Sequence, residues 1–111
     1  MSAEIDQLDV RVEEGPSSAV IYLDGELDPH TAPLLQQELD RLVGQGTTTI
    51  VLDMGALRFI DSSGLRVVIS AHRSLRDADG SLALRSPSET ARRLLEITGL
   101  TDHIDIVDAQ P

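Results

Sequence analysis

Residues 49–85 read TIVLDMGALRFIDSSGLRVVISAHRSLRDADGSLALR, and the succession of periods within them sets the fold. Thr49-Ile50-Val51-Leu52-Asp53 is a short apolar run rich in β-branched residues, the pattern of a buried strand. A connection from Met54 to Ile60 leads to a segment, about Ser63 to Ala78, in which Leu65, Val68, Ile69 and His72 recur at helical spacing and mark a buried face. Gly80 closes that helix, and Leu82-Ala83-Leu84 supplies another short strand. Strand, helix, strand in so short a stretch makes two parallel strands joined by a right-handed crossover.

The same reading extends outward. Upstream, Leu35, Leu39 and Leu42 predict a helix over about Thr31 to Val43, with Pro33 near its first turn and Gly44 and Gly46 at its close. Before it, Ala19-Val20-Ile21-Tyr22-Leu23 reads as a continuous buried strand that ends at Gly25-Glu26-Leu27-Asp28-Pro29. Leu8, Val10 and Val12, alternating with Asp9, Arg11 and Glu13, form an edge strand joined to it through Gly15-Pro16-Ser17-Ser18. Downstream, Ser86-Pro87-Ser88-Glu89 opens a third helix with a capping box and a proline at the first helical position. Gly99 ends that helix with Leu100 packing back, and His103-Ile104-Asp105-Ile106-Val107 is the last strand. The order is ββαβαβαβ: an α/β fold with a mixed, mostly parallel sheet packed with helices and an antiparallel edge. A chain of 111 residues has room for one hydrophobic core, so a single domain over 1–111 is expected.

Composition removes several functions. A net charge of −10 opposes direct binding to a nucleic-acid backbone, whose affinity comes from basic side chains displacing counterions. The charge is uneven: residues 1–40 carry ten acidic side chains and only Arg11, whereas residues 41–100 carry six acids and eight arginines. There is no lysine, which excludes P-loop, Schiff-base and Ser-Lys chemistry. Two aromatics, Tyr22 and Phe59, make no stacking platform for single-stranded nucleic acid. Cysteine is absent, so disulfides and thiolate sites are excluded. No run approaches the ~20 apolar residues of a membrane span, and the acidic start is unlike a basic signal peptide; a cytoplasmic location is expected. No metal site assembles. His72 lies at a core spacing, and neither His30 nor His103 is placed in sequence to pair with a serine and an acid as in a hydrolase.

The residues with distinctive chemistry are Asp61-Ser62-Ser63-Gly64, where the connection meets the second helix. Either serine can cap the helix by accepting a backbone N–H, a role worth ~0.5–2 kcal/mol that needs no function. The same position exposes a hydroxyl where unpaired N–H groups and the helix dipole favour a phosphate. Asp61 is placed to orient that hydroxyl, and Gly64 leaves room for another protein's backbone to approach. Arg66, four residues after Ser62, is within reach of a phosphate on the same chain, and Arg73 and Arg76 extend the basic side.

Through Gly25-Glu26-Leu27-Asp28, Val51-Leu52-Asp53, Phe59-Ile60-Asp61-Ser62-Ser63-Gly64-Leu65 and Thr98-Gly99-Leu100, the chain resembles the STAS-domain anti-sigma factor antagonists. The resemblance spans nearly the whole chain and implies the STAS fold. It also implies a partner switch. The unphosphorylated protein would bind an anti-sigma factor that is also a serine kinase, freeing the sigma factor; phosphorylation of Ser62 would end binding, and a serine phosphatase would restore it. By the same resemblance Glu26 and Asp28 lie near the serine and join Asp61, Ser62, Ser63, Gly64 and Arg66 in the partner surface, with Ser63 the lesser acceptor. No catalytic residue and no cofactor are expected on this chain; ATP and magnesium would belong to the kinase. The alternative is a non-switching STAS module of a transport or signalling complex.

Overall fold

The computed structural model describes residues 7–99 and 104–107. Its elements run β1 (Leu8–Glu14), β2 (Ser18–Leu27), α1 (Ala32–Gly44), β3 (Thr49–Ile60), α2 (Ser62–Asp77), β4 (Ser81–Arg85), α3 (Glu89–Thr98) and β5 (Asp105–Val107). The expected ββαβαβαβ order is present. The strands form one sheet in chain order, with β1 antiparallel to β2 and every other pair parallel.

One face of the sheet carries the core. Ala19, Ile21 and Leu23 of β2, Ile50, Leu52 and Met54 of β3, and Leu82 and Leu84 of β4 are buried. Onto them pack Leu35, Leu39 and Leu42 of α1 and Leu65, Val68, Ala71 and Leu75 of α2, in one cluster. Ile69 stands only half-buried beside it, so the buried stripe of α2 runs through Val67 and Leu75 rather than Ile69.

The opposite face explains why β2 reads as continuously apolar without being buried on both sides: Val20 and Tyr22 are half-covered. A polar row crosses the strands here, with Arg11 opposite Tyr22, Tyr22 opposite Asp53 and Asp53 opposite Arg85. The Arg11 guanidinium lies 4.2 Å from the centre of the Tyr22 ring, and Arg85 lies 5.7 Å from it on its other neighbour's side. Arg85 Nε donates to Asp53 Oδ2 at 2.7 Å.

Two further sequence expectations are corrected. The Met54-to-Ile60 connection is strand: β3 stays paired with β2 to its end, with Gly25 opposite Leu57 and Leu27 opposite Ile60. Register shifts near Asp24 and Gly25 break the alternation, and the Gly55 amide donates to the Asp53 carboxylate at 2.9 Å within the irregular stretch. Buried residues then fall at Met54, Leu57 and Ile60, a spacing of three that conceals the strand. The start of α3 also differs. Ser88 is the cap, its Oγ accepting from the Ala91 amide at 3.1 Å, so Pro87 precedes the helix instead of opening it. Gly99 does end α3 in the left-handed conformation, at φ 79°; Leu100 and His103 lie outside the described residues.

Leu52 has no exposed surface and sits in the central strand. Leu52→Ala is expected to lower stability by about 2–5 kcal/mol, measured by equilibrium urea denaturation. A loss below about 1 kcal/mol would contradict its place in the core.

Candidate functional site

The sequence-predicted residues converge at the ends of β2 and β3, where α2 begins. The junction is closed by the backbone: the Asp61 amide donates to the Leu27 carbonyl at 3.2 Å. This brings Glu26 and Asp28, on either side of Leu27, beside the start of α2. Glu26 stands opposite Phe59 in the register of the two strands.

Asp61, and neither serine, caps α2. Its extended backbone, at φ −123° and ψ −168°, aims the carboxylate back over the first turn. Oδ1 accepts from the Ser63 amide at 2.8 Å and more weakly from the Gly64 amide at 3.4 Å. A carboxylate in this position satisfies helix-end donors and interacts favourably with the dipole. Ser62 is therefore the first residue of the helix, exposed, with no side-chain hydrogen bond to any described residue. Ser63 is half-buried behind it.

Gly64 is buried, and the space a side chain would need is filled from within the chain. A Cβ there would lie 2.6 Å from Leu27 Cγ and Cδ2 and 3.0 Å from Ile60 Cγ1. The glycine is thus required by the seating of α2 on β2 and β3, a role that differs from the expected opening toward another protein.

Asp28 has a defined structural task. Its Oδ1 accepts from the His30 amide at 2.9 Å and the Thr31 amide at 3.0 Å, while its own amide donates to Thr31 Oγ1 at 3.0 Å. The Thr31 hydroxyl donates to the Glu26 carbonyl at 2.7 Å. The hydrogen bond donated by the Thr31 amide above all holds the Asp28 carboxyl below its ordinary value of 3.8, against a smaller opposing effect of burial.

Beside the serines runs an open groove of about 580 Å³ between α1 and α2. Ala32, Pro33 and Val67 give it apolar surface, and Gln36, Ser63 and Arg66 give it polar surface. Sequence reasoning named Ser63 and Arg66 but missed the α1 side, because no local pattern reports which helices will lie next to each other. It also passed over Phe59, which is 49% exposed at the end of β3. The signal was present: an aromatic within Phe59-Ile60-Asp61-Ser62, three residues before the exposed serine. His72 is buried in α2, and neither it nor His30 hydrogen-bonds Ser62; His103 lies outside the described residues. No cluster of metal-ligating side chains occurs among the described residues.

Fold and site together define a small α/β domain that presents an exposed serine at a helix start, its hydroxyl without a partner among the described residues. A family model for the STAS domain matches residues 7–109. The anti-sigma-B factor antagonist of Listeria monocytogenes is 34% identical over 90 residues, covering 81% of this chain and 79% of that protein. The anti-sigma factor antagonist SpoIIAA in its unphosphorylated form aligns with a TM-score of 0.82 at 32% identity, covering 92% of this chain and 89% of that one. The Bacillus cell fate determinant SpoIIAA in the phosphorylated form aligns with a TM-score of 0.79 at 32% identity, covering 92% of each. The chain belongs to the STAS-domain anti-sigma factor antagonist family.

Two measurements check the site's construction. Gly64→Ala is expected to cost about 1–3 kcal/mol by overpacking against Leu27 and Ile60; unchanged stability in a thermal melt would show the junction to be looser. Asp28 contributes stability that is present above the unfolded-state pKa and lost as pH falls through its lower folded-state value. The stability gap between the wild type and Asp28→Asn is therefore expected to narrow as pH drops below 3.8, in denaturant titrations run at pH 6 and pH 3. A gap equally wide at both would contradict the ionic role.

Proposed function

We propose that this protein is a switched anti-sigma factor antagonist whose partner is a cytoplasmic anti-sigma factor with serine kinase activity, and that Ser62 is the phosphorylated residue. The observation that carries this reading is the division of labour at Asp61-Ser62. Asp61 does the capping, so the neighbouring hydroxyl is exposed and uncommitted. A phosphorylated relative of similar fold, SpoIIAA, supports a switch of this kind.

In the unphosphorylated state the start of α2, the groove and the Glu26-to-Asp28 turn form one continuous surface for the partner. Phe59 and the groove offer apolar contact, and Ser62 adds a small neutral group that an interface can cover at little cost. The kinase then transfers the γ-phosphoryl group of ATP to Ser62 Oγ. The O–P bond forms as the bond to the β-phosphate oxygen breaks, ADP leaves, and the hydroxyl proton passes to a base on the kinase. The product carries about −1.5 to −2 charges at Ser62, next to Asp61 and near Glu26 and Asp28. Closing an interface over it requires desolvating a phosphate among carboxylates, which rejects the partner. A serine phosphatase resets the surface.

This chain supplies a substrate hydroxyl and a binding surface. ATP and magnesium are the kinase's, and Ser63, partly covered and adjacent to the capped amide, is the poorer acceptor.

Incubation with the cognate kinase and ATP is expected to place phosphate on Ser62, located by mass spectrometry, while Ser62→Ala stays unlabelled and still binds. In a titration Ser62→Asp is expected to bind several-fold more weakly than Ser62→Ala, a carboxylate being a partial mimic of phosphate. A constant, unphosphorylated complex with equal affinity for both variants would favour the non-switching STAS module instead.

A further inference from the structure

Several arginines are engaged in ion pairs: Arg11 with Glu13, Arg41 with Glu14 and Glu38, Arg58 with Asp24, and Arg85 with Asp53. Arg66 is not. It is exposed on α2 at the edge of the groove and has no ion pair among the described residues. Because α2 is continuous from Ser62 to Asp77, Arg66 stands one turn beyond Ser62 on the same side of the helix, a spacing of about 5–6 Å between Cβ atoms.

A new anion at Ser62 would find few other partners. The amides of Ser63 and Gly64 already donate to Asp61, so part of the helix end that would ordinarily receive a phosphate is taken. The capping group is itself negative. Asp28, across the junction, is held in its ionised form by its own turn. The nearest uncommitted cation on the helix is the Arg66 guanidinium, whose planar fork suits phosphate oxygens.

We propose that Arg66 is the intrachain counter-ion of phosphorylated Ser62, drawn from the edge of the α1–α2 groove to the phosphate by charge-assisted hydrogen bonds. The inference rests on the reading of Ser62 as the phosphorylated residue and deepens it. Phosphorylation then alters the surface twice: it adds negative charge at Ser62 and withdraws a positive group from the groove. A partner that uses Arg66 loses that contact at the same moment as it meets the phosphate. The pairing also lowers the net charge presented at Ser62, so the loss of the arginine from the groove carries part of the switch.

The test uses full-length chain with phosphoserine installed at position 62 by genetic incorporation, which makes it independent of any kinase. The second ionisation of the phosphate, near pH 6 in an unpaired phosphoserine, is followed by phosphorus NMR. The wild-type midpoint is expected to lie about 0.3–1 pH unit below that of Arg66→Ala, with Arg73→Ala leaving it in place. The shift is expected to shrink as salt is raised. Coincident midpoints for wild type and Arg66→Ala, or an equal displacement in Arg73→Ala, would overturn the specific pairing. Failure of the kinase to label Ser62 would sink the proposed function and leave this titration readable.

Discussion

The site depends on one close approach, the seating of the first turn of α2 on the ends of β2 and β3. Gly64 lets the helix come down onto Leu27 and Ile60, the Asp61 amide ties the junction to the Leu27 carbonyl, and the Asp61 carboxylate closes the helix end that results. Each contact requires the others. With a side chain at position 64 the turn would have to lift, and the capping geometry and the backbone tie would both change. The exposed position of Ser62 is thus a consequence of packing beneath it, and the Glu26-to-Asp28 turn is near because Leu27 is part of the same contact.

A second group of polar side chains is committed to the sheet itself. On the helix-free face, Arg11, Tyr22, Asp53 and Arg85 form a cross-strand row in which cations sit over the one tyrosine and a carboxylate joins β3 to β4. Such pairs at a sheet surface are individually worth less than about 1 kcal/mol, and their main effect here is to fill the face with satisfied groups. The start of α2 is built differently: an exposed hydroxyl and an arginine without partners among the described residues, a half-exposed phenylalanine and a groove with apolar walls lie close together. Exposed polar groups beside apolar surface are what the proposed binding role would use.

The order and type of every element were legible in the sequence because period and punctuation agreed: Leu35, Leu39 and Leu42 repeat as a helix must, and Gly99 stops α3 in the conformation that glycine favours. The second half of β3 was hidden because irregular pairing opposite Gly25 changes the burial spacing from two to three. The capping group was ambiguous for a related reason. Aspartate, serine and serine in succession all have the chemistry of a cap, and only backbone angles decide which one sits outside the helix. Gly64 was read as open space because a sequence shows that a side chain is missing but not what occupies its place. The groove was invisible for the most general reason, that its two walls, residues 29–36 and 63–70, are distant in sequence and meet only through the packing of α1 on α2.

The identity of the cap has a mechanistic consequence. If Ser62 were the capping residue, its phosphorylation would convert a hydrogen-bond acceptor of the helix into a bulky dianion, and the modification would act on the helix end itself. With Asp61 holding the amides of Ser63 and Gly64, Ser62 Oγ can gain and lose a phosphoryl group while those bonds and the Gly64 contact remain. The proposed switch is then confined to the surface, to charge and to the reach of neighbouring side chains. On the proposed reading the adjacent aspartate and serine do separate work, Asp61 maintaining the helix start and Ser62 carrying the modification.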